Sequence, residues 1–179
     1  MNPEWVTAVG TVGTFVVIAA SAVAALLQIR HMRSGNQIAA YNECRETMDS
    51  ADFRTALNFI RTTLSERLAD PDTLERIFAG RLSDEYSGIR MVANLFESMG
   101  LFVKTGMMDE RIACELWSGI VLDSWRKLEP LTAVLRSRVS EGVWINFEYM
   151  AALSEKYSER FPAGEYPRGV HRMHLENRT

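Results

Sequence analysis

The sequence predicts an all-α protein with three parts: one N-terminal transmembrane helix (5–30), a cytoplasmic helical bundle (36–160) and an irregular, extended C-terminal arm (161–179). Three observations predict it. Residues 6–29 form a 24-residue run without a charged side chain. As a helix this run rises about 36 Å, enough to cross a hydrocarbon core of about 30 Å with some tilt. Beyond it, apolar side chains recur at the three- and four-residue spacing of helices with one buried face. From Phe161 onward, Pro162, Gly164, Pro167 and Gly169 fall within eight residues and forbid regular helix.

The totals exclude several classes. About 145 residues remain beyond the span, which suits one domain with its own core. A formal charge of -3 provides no basic footprint for nucleic acid. Cys44 and Cys114 form neither a Cys-x-x-Cys pair nor a zinc spacing. Both fall on the apolar side of their helices, so buried free thiols are expected in a cytoplasmic domain. The sequence holds no internal repeat and no low-complexity block.

The flanks orient the first helix. Trp5 suits the headgroup layer, and Arg30, His31 and Arg33 follow the run, whereas no Lys or Arg precedes it. The cationic flank places the N-terminus outside and the bundle in the cytoplasm, at the inner membrane. A cleaved signal peptide is the competing reading, since Ala22-Val23-Ala24 imitates a cleavage site. The uncharged n-region and the long apolar run speak against it.

Within the run, Thr7, Thr14, Ser21 and Gln28 recur every seven residues, with Gly10, Thr11, Ala24 and Ala25 beside them. Val12, Phe15, Val16, Ala19 and Val23 make a separate face. Membrane helices associate through small residues and interhelical hydrogen bonds. Thr7, Gly10, Thr14 and Ser21 are therefore the candidate docking surface for a partner helix. The alternative is that these hydroxyls bond their own backbone.

The bundle follows in order. Ser34-Gly35-Asn36 is either a joint or a stretch through which the helix continues, and Ile38, Tyr41, Cys44 and Met48 keep helical spacing after it. Asp49-Ser50 offers capping oxygens. Phe53, Leu57, Ile60, Leu64 and Leu68 form the next stripe, and Pro71 opens a short helix with Leu74, Ile77 and Phe78 inward. Ser83 should begin the central helix, whose apolar residues lie on two faces: Ile89, Val92, Phe96, Met99 and Val103 on one, Met91, Leu95 and Phe102 on the other. Gly106 ends it and Asp109 caps the next. That helix should bury Ile112, Leu116, Ile120 and Val121, and Pro130 should restart it. Ser140-Glu141-Gly142 is a turn, and a last helix carries Val143, Phe147, Met150, Leu153 and Tyr157.

Chemistry is sparse. His171 and His174 form a His-x-x-His pair in a segment that does not favour helix, without the three or four ligands of a zinc site. Glu97 and Lys104, seven apart on the central helix, are a candidate polar pair, read as fixing helix register, with a ligand or proton site as the alternative. No phosphate-binding glycine loop, nucleophile elbow or metalloprotease helix is present. The expectation is a non-enzyme with no metal and no cofactor.

Three segments resemble a known family: NLFESMGLFVKTGMMDERIACELW (94–117), WRKLEPL (125–131) and NFEYMAAL (146–153). They are similar to an uncharacterised bacterial family of small single-pass membrane proteins with a helical soluble domain. Gly100, Lys104-Thr105-Gly106, Asp109-Glu110 and Trp125 through Pro130 are the most specific parts. The resemblance is closest over 36–157, looser over the anchor, and stops before the arm. It implies architecture and no activity. The expected function is an accessory subunit of a larger membrane complex, held by other membrane subunits and the bilayer, with homo-oligomerisation open. Energy-converting complexes, photosynthetic reaction-centre–antenna or respiratory, are the expected class. The alternative is a membrane-tethered sensor or adaptor that binds a soluble partner or small ligand.

Overall fold

The computed structural model describes residues 3–78, 84–170 and 173. A single helix, α1 (Pro3–Asp49), runs unbroken from the apolar segment into the bundle. Its 47 residues span about 70 Å. Ser34-Gly35-Asn36 does not interrupt it. One glycine costs a helix only about 1 kcal/mol relative to alanine, and the segment contains no proline. Within α1, Gly10–Gln28 is long and apolar enough to cross a membrane, and none of it is buried in the fold. Further along, the same helix enters the core through Ala40 and Cys44.

The remaining helices begin largely where the chain supplies caps. Ser50 Oγ accepts from the Phe53 N–H at 3.2 Å and opens α2 (Ala51–Thr62). The stripe from Phe53 to Leu64 is buried, but the helix breaks at Thr63, and α3 (Leu64–Leu68) is a separate short piece. α4 (Pro71–Phe78) starts on its proline, and Asp70 Oδ1 accepts from the Asp72 N–H. α5 (Asp84–Lys104) follows; Ser83, expected to open it, lies outside the described residues. Gly106 ends this stretch at φ 73, a left-handed conformation that glycine adopts freely. Asp109 Oδ1 accepts from the Ile112 N–H at 3.0 Å and opens α6 (Glu110–Arg138). α7 (Ile145–Arg160) completes the bundle.

Two expectations for α6 fail. The helix passes straight through Pro130, which is exposed, so water can take the carbonyl that its missing N–H leaves free. Its inner face is Ala113, Cys114, Val121 and Leu128, while Ile112 is 46% and Leu116 58% exposed. The small Ala113 and Cys114 side chains let a neighbour approach, where a row of bulky ones would hold it away.

The long helices alternate in direction. The end of α1 and α2 run one way, α5 returns, α6 runs with α1 again, and α7 returns alongside α5. Tyr41 meets Asp109 at one end, and Phe53 meets Phe96 further along. Around the bundle the order is α2, α5, α7, α6. α5 and α6, though consecutive in sequence, touch little, and α7 packs heavily on both. One aromatic ring from each helix marks this circuit. Phe53 lies edge-on to Phe96 at 6.2 Å, Phe96 packs on Phe147 at 5.1 Å, and Phe147 meets Trp125 edge-on at 5.1 Å. Phe53, Phe96 and Phe147 are essentially fully buried, each stabilising the fold by about 1.5–3 kcal/mol.

Candidate functional site

The densest polar cluster surrounds the start of α7. Trp144, just before it, holds a left-handed backbone at φ 52 and provides no side-chain cap. Glu97 on α5 supplies one instead. Its Oε2 accepts from the N–H groups of Asn146 at 2.9 Å and Phe147 at 2.8 Å, and its Oε1 accepts from Asn146 Nδ2 at 2.8 Å. A carboxylate at a helix N-terminus also suits the helix dipole. Trp144 Nε1 donates to Asn94 Oδ1 at 3.2 Å. From α6, Arg136 donates to the Val143 carbonyl at 2.9 Å and to Glu148 Oε2 at 2.7 Å, with its guanidinium over the Trp125 ring.

Gly100 explains how close the two helices come. A Cβ there would lie 2.7 Å from the carbonyl carbon of Asn146, and nearer still to its oxygen. Glu97 therefore fixes the register of α7 on α5. Its partner is the α7 backbone rather than Lys104, which is exposed about 10 Å further along α5. The sequence reading missed Trp144, Asn146 and Arg136. A glycine inside an otherwise apolar helix was the one signal of a close crossing.

A second feature is a cleft of about 380 Å³ between the start of α6, the end of α7 and the arm. Arg111, Lys156, Arg160, Tyr157 and Glu165 are among its walls. Arg111 closes it, donating to both oxygens of Glu165 at 2.9 and 2.5 Å, and this pairing raises the Arg111 pKa. Phe161 lies against Tyr157 at 5.1 Å. The covered hydroxyl of Tyr157 has no hydrogen-bond partner among the described residues, and burial raises its pKa. Cys114 lies in the cleft wall, its thiol pushed up to about 11 by burial.

The third feature is α1 itself. Gly10, Thr14 and Ser21 of the expected docking stripe are exposed. Thr14 Oγ1 donates to the Gly10 carbonyl at 2.9 Å, so this hydroxyl bonds its own backbone. Trp5, Thr7, Arg30 and Arg33 belong to α1, but their side chains lie outside the described ones, as does that of His31; His171 and His174 are also outside. A shallow groove of about 540 Å³ runs along Phe15, Val16, Ala19, Ala20, Val23, Ala24 and Leu27. At 3.6 residues per turn it faces away from Thr14 and Ser21. Its floor includes Ala20 and Ala24, a small-xxx-small pair within reach of sequence reading.

Among the described residues, no group of three or more His, Cys, Asp or Glu side chains converges as a metal site. The geometry thus offers a helix seat, a mixed-charge cleft and an uncovered apolar helix. A family profile described as a domain of unknown function (DUF4760) matches residues 15–154. The chain belongs to this family, and its fold is helical with an apolar N-terminal helix. The match begins inside the apolar segment and ends before the arm. Comparison with curated proteins and with solved structures finds no match.

Proposed function

We propose that this chain is a non-catalytic, single-pass accessory subunit of a larger membrane complex. The observation that carries the reading is the division within α1. Its Gly10–Gln28 part is wholly uncovered by the fold, and its Ala40–Cys44 part is built into the core. An apolar helix of this length left bare in water would be a severe aggregation liability. In a bilayer it is matched to its solvent. The cations at Arg30 and Arg33 support a cytoplasmic bundle and an outside N-terminus. The Ala20–Ala24 groove supports contact with a neighbouring membrane helix.

The test is fractionation followed by gentle detergent extraction of the tagged full chain, then native electrophoresis and mass spectrometry. The expected result is resistance to alkaline extraction and co-migration with a defined set of membrane proteins. Release by alkali, or migration alone, overturns the reading.

The arm cleft favours a second reading, a membrane-tethered sensor for a small anionic ligand that would replace Glu165 on Arg111. Under it the chain migrates alone, and Arg111→Ala removes any ligand-induced rise in Tm.

A further inference from the structure

The bridge between Arg111 and Glu165 is not an ordinary surface ion pair. Both carboxylate oxygens of Glu165 accept from the one guanidinium. The acid is the covered partner: its side chain is 23% exposed, against 68% for Arg111. Pairs of long side chains on a surface leave both charged ends in water. Here the arm carries a carboxylate into the cleft between α6 and α7, and the guanidinium closes over it. The arm turns in through Gly164, left-handed at φ 76. Phe161, four residues before Glu165, rests on the Tyr157 ring.

Glu165 does not use all that the cleft offers. A volume of about 380 Å³ remains open with Glu165 in place, and clefts that take small molecules start near about 300 Å³. The Tyr157 hydroxyl is covered yet has no hydrogen-bond partner among the described residues. Arg111 and Glu165 are both near enough to act on its ionisation. A covered hydroxyl without a partner forgoes a hydrogen bond that an acceptor in the cleft would restore. Leu153 and the Phe161 ring add apolar wall. Charge sets a further condition. With Glu165 withdrawn, Arg111, Lys156 and Arg160 face Glu110 in the wall and Glu115, whose charge reaches both Arg111 and Tyr157. Three cations against two acids leave one positive charge. A single carboxylate cancels it and matches the guanidinium fork, whereas a phosphate dianion exceeds it.

We infer that this cleft binds a small monocarboxylate with an apolar body, and that Glu165 is its built-in competitor. The ligand's carboxylate takes the place of Glu165 on Arg111 and also accepts from the Tyr157 hydroxyl, while its body lies against Leu153 and Phe161. The Tyr157 contact is one the arm leaves unmade, and it favours the free acid over the tethered one. The inference rests on the sensor reading of the cleft and deepens it by naming the ligand class. It applies equally to a chain held in a complex.

The test is isothermal titration calorimetry of the full chain in lipid nanodiscs, with benzoate as the probe and benzamide, acetate and inorganic phosphate as comparisons. Benzoate should bind, and each of the others should bind about tenfold more weakly or not at all. That comparison needs no variant. Glu165→Gln should tighten benzoate about fivefold, as removal of a competitor that fills most of the sites requires. In the same background Tyr157→Phe should weaken benzoate about fivefold and Arg111→Ala should abolish its binding. A bridge that serves only to hold the arm gives no benzoate binding with or without Glu165. No binding to the Glu165→Gln chain at millimolar benzoate, or equal affinity with and without Glu165, overturns the inference. Benzamide or acetate binding as tightly as benzoate overturns it too. Phosphate binding in place of benzoate overturns the carboxylate assignment and leaves the anionic-sensor reading standing. Benzoate binding by a chain that co-migrates with membrane partners supports the inference while the sensor reading falls.

Discussion

Tyr41 and Asp109, 68 residues apart in sequence, exchange two hydrogen bonds: the Asp109 N–H donates to the Tyr41 hydroxyl at 3.1 Å, and that hydroxyl donates to the Asp109 carbonyl at 3.3 Å. The pair ties the last bundled turns of α1 to the loop that launches α6. Tyr41→Phe keeps the ring contact with Trp117, whose centroid is 5.7 Å away, and removes both bonds. The expected loss is about 1 kcal/mol. Urea unfolding of the detergent-solubilised full chain measures it, and an unchanged midpoint would show that the Asp109 cap alone holds the loop.

At Gly100 the obstruction is backbone, which cannot swing aside as a side chain can. Gly100→Ala should therefore push α7 off its seat and cost about 1–3 kcal/mol or more. Gly119→Ala is the counterpart, since a Cβ there meets nothing within 4 Å and α6 is helical through that position. It should stabilise by about 0.5–1 kcal/mol. Opposite shifts in Tm confirm the pair, whereas equal shifts would refute the close crossing.

Glu97→Gln preserves shape but replaces one acceptor oxygen with a donor NH₂. The three contacts then survive only if the Gln oxygen faces the two backbone N–H groups and the Asn146 amide turns over to accept from the NH₂, and the charge at the α7 N-terminus is lost in either case. A destabilisation of about 1–3 kcal/mol is expected. Near-wild-type stability would mean that α7 does not depend on a cap from α5.

Cys44 and Cys114 provide a pH test. Burial pushes both thiols from 9.0 to about 11 in the folded chain. A raised folded value means the unfolded chain deprotonates first. Stability is thus intact below about pH 9 and declines toward pH 11. Tyr41 and Tyr157, also raised, steepen the decline above pH 10. Cys44→Ala should flatten the slope between pH 9 and 11 even if it lowers Tm at neutral pH. An unaltered slope would exclude Cys44 as a contributor.

Glu165→Gln should loosen the arm without unfolding the bundle, because Arg111 is largely exposed and the bridge lies at the surface. Limited trypsin digestion should cut faster after Arg160 and Arg168, with no change in the circular dichroism of the helices. An unchanged cleavage rate would show that Phe161 against Tyr157 holds the arm by itself.

Much of this architecture was legible in the sequence because it is local. The uncharged run, the caps at Ser50 and Asp109, and the stop at Gly106 each depend on a few adjacent residues. The misreadings occur where a neighbouring element decides. Ile112 and Leu116 keep perfect helical spacing, yet α7 approaches over Ala113 and Cys114, a choice made by fit between helices. Periodicity ranks apolar bulk and overlooks small residues that admit a partner. The α7 seat was hidden for the same reason. Its cap lies on α5, about fifty positions away, so no window around Trp144 contains Glu97.

The diagonal placement of α5 and α6 has a consequence for how the chain matures. These two helices leave the ribosome one after the other but have little to hold each other with until α7 arrives between their flanks. Phe96 and Trp125 therefore wait for Phe147, made after both, before their faces are covered against α7. During that interval the nascent protein is an open sheaf of helices, and the sixteen-residue α7 closes it.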